Sequence, residues 1–176
     1  MPDLQLATVV EALSRPPAAA DLDDLALLLV DAVDSGAGVS FMRPLAADAA
    51  RTWWQQTLES SDRRAVFLVA RDAQGIVGTI QLLPAWAPNQ PHRADVAKLI
   101  VHRRARRGGV GRALVDAVET HARAAGFTLL TLDTVRGDAA EHLYAAAGWQ
   151  RVGVIPGYAM SPAGVLCDTV VFYKKL

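Results

Sequence analysis

A basic, glycine-rich turn, Arg106-Arg107-Gly108-Gly109-Val110-Gly111, joins a β-like run to an amphipathic helix, and this junction constrains the chain more than any other segment. Before it, Val96-Ala97-Lys98-Leu99-Ile100-Val101 carries the β-branched, apolar bias of a strand. After it, Val110, Leu114 and Val118 recur at helical spacing, Arg112, Asp116, Glu119 and Arg123 occupy the remaining surface, and Gly126 marks the stop. A helix N-terminus presents unpaired N–H groups, glycines let oxygen atoms approach the backbone, and arginines add positive charge. The segment therefore reads as a phosphate site, against the plainer alternative that the glycines only make a tight connection.

Spacing separates this turn from other phosphate loops. A Walker loop needs Lys and then Ser or Thr after its last glycine, and here Arg112 and Ala113 follow Gly111. A dinucleotide fingerprint would place its third glycine at Leu114, and it usually follows a first strand rather than a middle one.

The rest of the chain predicts alternating elements. Leu4 to Ala12 suits a strand, Leu22 to Val33 a helix begun near Asp21, and Leu45 to Ser60 a helix with Pro44 at its start. Val66 to Arg71 and Ile76 to Leu83 form a hairpin around Asp72-Ala73-Gln74-Gly75, and the Pro84 to Pro91 loop with Trp86 lies at the surface. Thr128 to Asp133 is a strand, Asp138 to Ala147 a helix closed by Gly148, and Trp149 to Ile155 and Leu166 to Tyr173 the last strands. One mixed α/β domain over residues 1–176 is expected, because 52% hydrophobic residues in a chain of this length can bury a substantial core.

Charge and cysteine content exclude several functions. Eighteen basic and eighteen acidic residues cancel, so no global field recruits nucleic acid or an anionic membrane, and the cluster from Arg103 to Arg107 is local. A single cysteine, Cys167, rules out an intrachain disulfide, and His92, His102, His121 and His142 have no metal-ligand spacing, so no metal is expected. No apolar stretch is long enough to span a bilayer and no signal pattern opens the chain, so a cytoplasmic protein is expected.

The pattern Arg106-x-x-Gly109-x-Gly111 after an apolar strand resembles the pyrophosphate-binding signature of the GNAT family of N-acetyltransferases. From Ala94 to Leu176 the chain is similar to the tabtoxin-resistance type, through Lys98-Leu99-Ile100-Val101, Leu132-Asp133-Thr134, Ala140-Glu141-His142-Leu143-Tyr144, Arg151-Val152-Gly153 and Pro156-Gly157-Tyr158. Gly38-Val39-Ser40-Phe41-Met42 is a weaker similarity upstream. The resemblance implies a mostly antiparallel, twisted sheet of about seven strands flanked by about four helices, with strands four and five splayed into an acetyl-CoA cleft. It implies transfer of acetyl to the primary amine of a small molecule, such as an antibiotic, toxin or amino-acid-like acceptor, by direct attack in a ternary complex. A protein or peptide N-acetyltransferase and a non-catalytic CoA sensor are the alternatives, and the resemblance also admits a homodimer.

Carried onto this chain, the resemblance gives the cofactor to Leu99, Ile100 and Val101 through their main chain and to Arg106, Arg107, Gly108, Gly109, Val110, Gly111 and Arg112. A backbone N–H, that of Leu99, would polarise the thioester carbonyl. Tyr144 occupies the position of the tyrosine that protonates the departing thiolate, with a core aromatic as its alternative. The base that takes the amine proton is Asp95 or Asp133, each of which can also be read as a turn former or cap. Ser40, Phe41, Met42 and Tyr158 are the candidates for an apolar acceptor wall, or equally for core.

Overall fold

The computed structural model describes residues 8–176, so residues 4–7 of the first expected strand lie outside the described residues. Its elements run β1 (Val9–Ala12), α1 (Ala19–Asp34), α2 (Ala47–Ser60), β2 (Val66–Asp72), β3 (Gly75–Pro84), β4 (Arg93–Val101), α3 (Val110–Ala124), β5 (Leu129–Val135), α4 (Ala139–Ala146), β6 (Gln150–Met160) and β7 (Leu166–Lys175). The seven strands form one sheet in the order β1-β2-β3-β4-β5-β7-β6. Every neighbouring pair is antiparallel except β4 and β5. With seven strands and four α-helices among the described residues, this is the mixed α/β arrangement that the resemblance implies.

Alternating apolar residues give the sheet two buried faces, which is why helices cover both. On one, Leu68, Ala70, Ile80, Leu82, Ala94, Val96, Leu130 and Leu132 pack with Leu114 and Val118 of α3. On the other, Phe67, Val69 and Ile100 pack with Leu25 and Leu29 of α1 and Trp54 of α2. Successive β2 residues thus go to opposite cores.

Boundaries differ from expectation where local chemistry is ambiguous. Helix α1 begins at Ala19, two residues before Asp21, which sits in its first turn. Helix α2 begins at Ala47, three residues after Pro44, and neither helix has a side-chain N-cap to announce its start. Strand β6 runs on to Met160 through a register irregularity between Ile155 and Ala159, so its exposed end breaks the alternation that marks a strand. The loop after β3 leaves Trp86 91% exposed, as a proline-rich surface loop predicts.

Candidate active site

The sheet opens between β4 and β5. They pair only at Arg93–Asp95 against Leu129–Thr131, whereas β5 pairs with β7 over its whole length, from Leu129 to Val135. From Val96 to Val101, the edge of β4 that faces β5 has no strand partner among the described residues. On its other edge β4 slips register: Gln81 opposes Ala97 and Thr79 opposes Ile100, so Ile80 alone spans Lys98 and Leu99. That is a β-bulge, which leaves one residue out of the ladder and bends the strand. The bulge also inverts side-chain parity. Ala94 and Val96 face α3 before it, Leu99 and Val101 face α3 after it, and Ile100 belongs to the opposite core.

At the end of β4 the chain makes a 3-10 turn, Arg103–Ala105, and then the glycine turn. Gly109 has φ 83° and caps α3 in the left-handed conformation, which only glycine adopts without cost. Gly111 lies two residues on, within the first turn of α3, where an added Cβ would stand 3.1 Å from Leu143 Cδ2 of α4. The basic side chains are not equivalent. Arg106 Nε donates to the Val101 carbonyl at 3.0 Å and its Nη2 to Ser35 Oγ at 2.8 Å, and Arg112 is held by Asp116. Arg104 is paired with Asp72 of the β2–β3 turn. Arg107 makes no side-chain hydrogen bond among the described residues. A cavity of about 590 Å³ opens beside the turn, lined by Arg104, Arg106, Arg107, Gly108 and Gly109. A larger one of about 760 Å³ lies at α1 and α2 around Leu22, Leu58 and Arg63, and it contains none of the site residues.

The two carboxylate candidates lie in different surroundings. Asp95 sits in the closed part of the split, where its Oδ1 accepts hydrogen bonds from both Arg93 Nη1 and Thr131 Oγ1. Asp133 sits beyond the parallel pairing, exposed, with one oxygen, Oδ2, 2.9 Å from the buried Thr169 Oγ1. Leu130 and Leu132 face α3, so strand parity points Asp133 to the α1/α2 side. Its charge adds to the rise of the Tyr144 phenol and offsets part of the lowering that burial imposes on Lys98.

Tyr144 is buried on α4, its ring 5.5 Å from Trp149 and 6.3 Å from Phe172. Burial first, and then the Asp133 charge, pushes its phenol well above the ordinary tyrosine range. Its hydroxyl makes no hydrogen bond among the described residues. The ring is core, and the hydroxyl has no acceptor among the described residues.

The connection between α1 and α2 lies across the open end. An added Cβ on Gly38 would come within 2.4 Å of Val135 Cγ2, so the loop rests directly on the tip of β5. Ser40 Oγ accepts from Lys98 Nζ at 3.0 Å, Phe41 meets Trp53 edge-on at 5.2 Å, and the Arg43 N–H donates to the Pro162 carbonyl of the β6–β7 turn at 3.0 Å. Met42 reaches the same turn, its Cε 3.8 Å from the Cβ position of Gly164. Tyr158 stands apart from these contacts, 55% exposed on β6. Cys167, half-buried on β7, has its Sγ 3.4 Å from the Val165 carbonyl and no histidine partner.

A sequence model of the acetyltransferase (GNAT) family matches residues 32–149, more than half of the chain. The chain belongs to the GNAT acetyltransferase family. An uncharacterized N-acetyltransferase from the hisH-hisA intergenic region of Azospirillum brasilense is 36% identical over 115 residues, 64% of this chain and 67% of that protein. Among solved structures, the ribosomal-protein-alanine N-acetyltransferase of Brucella melitensis has a TM-score of 0.77 at 21% identity, covering 96% of this chain and 99% of that one. A Salmonella typhimurium structure with its cofactor acetyl-CoA has a TM-score of 0.77 at 16% identity, covering 97% and 94%. At these identities the structural likeness is one of fold. Family membership makes this GNAT chain an N-acetyltransferase, with acetyl-CoA as the family's acetyl donor.

Sequence reasoning missed Lys98 as a side chain, together with Arg93, Thr131, Thr169 and Trp53. Lys98 was legible in the parity break, since apolar residues at 94 and 96 are followed by apolar residues at 99 and 101. Arg93 stands two residues from Asp95, hence on the same strand face, but it lies outside a strand begun at Val96. Thr131, Thr169 and Trp53 meet the site only through strand pairing and helix packing, which no local pattern reveals.

Proposed function

We propose that this GNAT enzyme transfers acetyl to the primary amine of a small molecule by direct attack, with Asp133 as the base and Tyr144 as the acid. The observation that carries this reading is the open β4/β5 split itself: Asp133 stands on β5 beyond the last β4 pairing, on the face of the α1–α2 loop, while Tyr144 of α4 comes from the α3-side core with its hydroxyl uncommitted among the described residues. That loop touches β4 through Ser40, β5 through Gly38 and the β6–β7 turn through Arg43. A loop docked across the split at three points suits a compact amine of antibiotic-like or amino-acid-like size better than a protein surface.

Acetyl-CoA fits the residues present. The free β4 edge offers backbone groups of Leu99, Ile100 and Val101 for strand-like pairing with an extended arm. The N–H groups of Gly108, Gly109, Val110, Gly111 and Arg112, with the uncommitted Arg107, would take the phosphates. In this reading Arg106 and Arg112 contribute mainly by holding the turn, through Val101, Ser35 and Asp116. Bound there, acetyl-CoA supplies an activated thioester carbonyl.

The chain's own groups supply the remainder. The Leu99 N–H, at the bulge, donates to the carbonyl oxygen as negative charge develops, a contribution of ~3–4 kcal/mol for such a donor. The acceptor arrives as an ammonium with a pKa near ~10.4, so a proton must leave before attack. Asp133 takes it, directly or through a water, because Oδ1 is unengaged while Thr169 steadies Oδ2. Asp95 is the weaker candidate, since Arg93 and Thr131 converge on its Oδ1 and it sits in the closed part of the split. Tyr144 Oη donates its proton to the sulfur, whose thiol has a pKa of ~8.5 and so needs only modest help.

Thiol release from acetyl-CoA, measured across amino acids, aminoglycosides, polyamines and short peptides, tests the proposal. Amine-dependent release that falls about tenfold to a thousandfold in Tyr144→Phe, with CoA affinity retained, is the expected result. Turnover confined to peptide N-termini would select a peptide acetyltransferase, and tight CoA binding with no turnover would select the sensor.

A further inference from the structure

Lys98 occupies a position that neither sheet packing nor charge pairing explains. It is a non-glycine residue at φ 51°, a left-handed conformation that costs roughly 1–2 kcal/mol for an L-residue. The bulge sends its side chain away from the α3 core, to which strict alternation from Val96 would have directed it, and onto the face shared with Asp133 and the α1–α2 loop. Half-buried there, Nζ donates to Ser40 Oγ at 3.0 Å and stands 5.7 Å from the centroid of Trp53. Ser40 is itself left-handed, at φ 74°. No carboxylate of the described residues forms an ion pair with Lys98. Burial lowers its pKa, and the more distant Asp133 offsets this only in part.

An ammonium has three donors, and Ser40 uses one. Buried charges are ordinarily paired, so an ammonium facing an acceptor site without a counter-ion is matched to a charge that arrives with a ligand. Beside Lys98 on the neighbouring strand, the buried Gln81 is in register with Ala97, and its Nε2 has no hydrogen-bond partner. Ile80 and Leu82 belong to the α3 core, so parity turns Gln81 to the Lys98 face. A second donor without an acceptor therefore lies on that face, one register position from the bulge.

Resting on the acetyltransferase reading above, we propose that Lys98 reads an anionic group of the acceptor, so that the natural amine carries a carboxylate or similar oxyanion beside the amine it presents to Asp133. The two charges on the protein are opposite, lie on one face and form no ion pair with each other, which is the complement of a zwitterion. Trp53 and Phe41 form the apolar floor between the loop and α2. Lys98 acts here as a specificity-determining residue, with the proton transfers left to Asp133 and Tyr144.

Matched acceptor pairs test this, each an amino acid and its carboxamide, with the wild type and Lys98→Met. The wild type should favour the carboxylate member by about tenfold to a hundredfold in kcat/KM, the scale of one charge-assisted hydrogen bond. In Lys98→Met that ratio should collapse toward one, chiefly through KM for the carboxylate member. Acetylation without a carboxylate preference, or a preference that survives Lys98→Met, overturns the proposal while leaving the acetyltransferase reading intact. Calorimetric titration of N-acetylamino acids and their amides into the CoA-loaded protein needs no turnover. Carboxylate-selective binding lost in Lys98→Met upholds the role of Lys98 even if no amine is acetylated. If no carboxylate is either bound or acetylated in preference to its amide, the proposal fails.

Discussion

Asp95 and Asp133 are the same residue type on the same sheet face, and what separates them is what each already holds. Asp95 accepts from Arg93 and Thr131 on one oxygen, locking the last paired residues of β4 to β5. Asp133 accepts from one neutral hydroxyl, that of Thr169, with no cation on it among the described residues, and stands at the open end. Asp133→Asn should therefore lower kcat by about a hundredfold to ten-thousandfold, the range of a positioned general base. Asp95→Asn should act mainly on stability and on the width of the split. Steady-state rates and urea midpoints on both variants separate the two roles, and equal rate losses would remove the distinction. Tyr144 adds a pH signature. Its pKa is raised by burial and then by Asp133, so the phenol stays protonated beyond its usual ~10. Rates should climb with pH as the amine deprotonates, with no alkaline descent from Tyr144 below about pH 10.

At the scale of elements, the roof over the cleft depends on a contact that admits only glycine. The Cβ of an alanine at 38 would meet Val135 Cγ2 at 2.4 Å, far inside van der Waals contact, and the valine is too short to swing away. Gly38→Ala should displace the loop that carries Ser40 and Phe41, raising KM for the amine several-fold or more while leaving KM for acetyl-CoA little changed. A second tie joins the β2–β3 turn to the phosphate turn through Asp72 and Arg104. The Arg104 hydrogen bond holds Asp72 below the ordinary carboxylate range, with lesser help from the Gln74 N–H. This contribution to stability is present above the unfolded pKa of ~3.9 and disappears as pH falls through the lower folded value. Urea midpoints from pH 5 to pH 2 should fall less steeply in Asp72→Asn; an unchanged slope would mean that the pair contributes nothing. These elements differ in how far they can be read from the chain. Helix α3 and its glycine turn are legible because periodicity, charge and a breaker agree within a few residues. The bulge, the partners of Asp95 and the seat of Gly38 depend on which strands become neighbours, and Asp95 and Thr131 are 36 residues apart before the sheet forms. Tyr144 and Asp133 were within reach of sequence comparison as candidates, whereas the different surroundings of Asp133 and Asp95 appear only with the register.

For the whole molecule, the joint between the two halves of the sheet is a buried polar hub at Glu119. Its carboxylate, on α3, accepts from Trp149 Nε1 at 2.9 Å and from Lys174 Nζ of β7 at 2.7 Å on both oxygens. Lys174 Nζ also donates to the Ala147 carbonyl at the end of α4 at 2.7 Å. One ion pair therefore ties α3, α4 and the last strand together behind Tyr144. The pair need not raise net stability, because desolvation offsets much of the attraction. Breaking it from one side is different, since loss of Lys174 leaves the buried Glu119 with the Trp149 N–H and only the looser Arg123, 3.8 Å away, as counter-ion. Lys174→Met should cost about 3–5 kcal/mol. With about 2–4 °C per kcal/mol for a chain of this size, Tm should fall by roughly 6–20 °C. Glu119→Gln keeps the shape and an oxygen for Trp149 or Lys174, so it should cost less. The Glu119→Gln/Lys174→Met double variant should be more stable than the sum of the single effects, because it orphans no charge. Urea denaturation of the four proteins at neutral pH closes this cycle, and strictly additive effects would show that the hub is a set of independent contacts. Below their melting temperatures the variants should still bind CoA, because the free β4 edge and the glycine turn lie outside the hub.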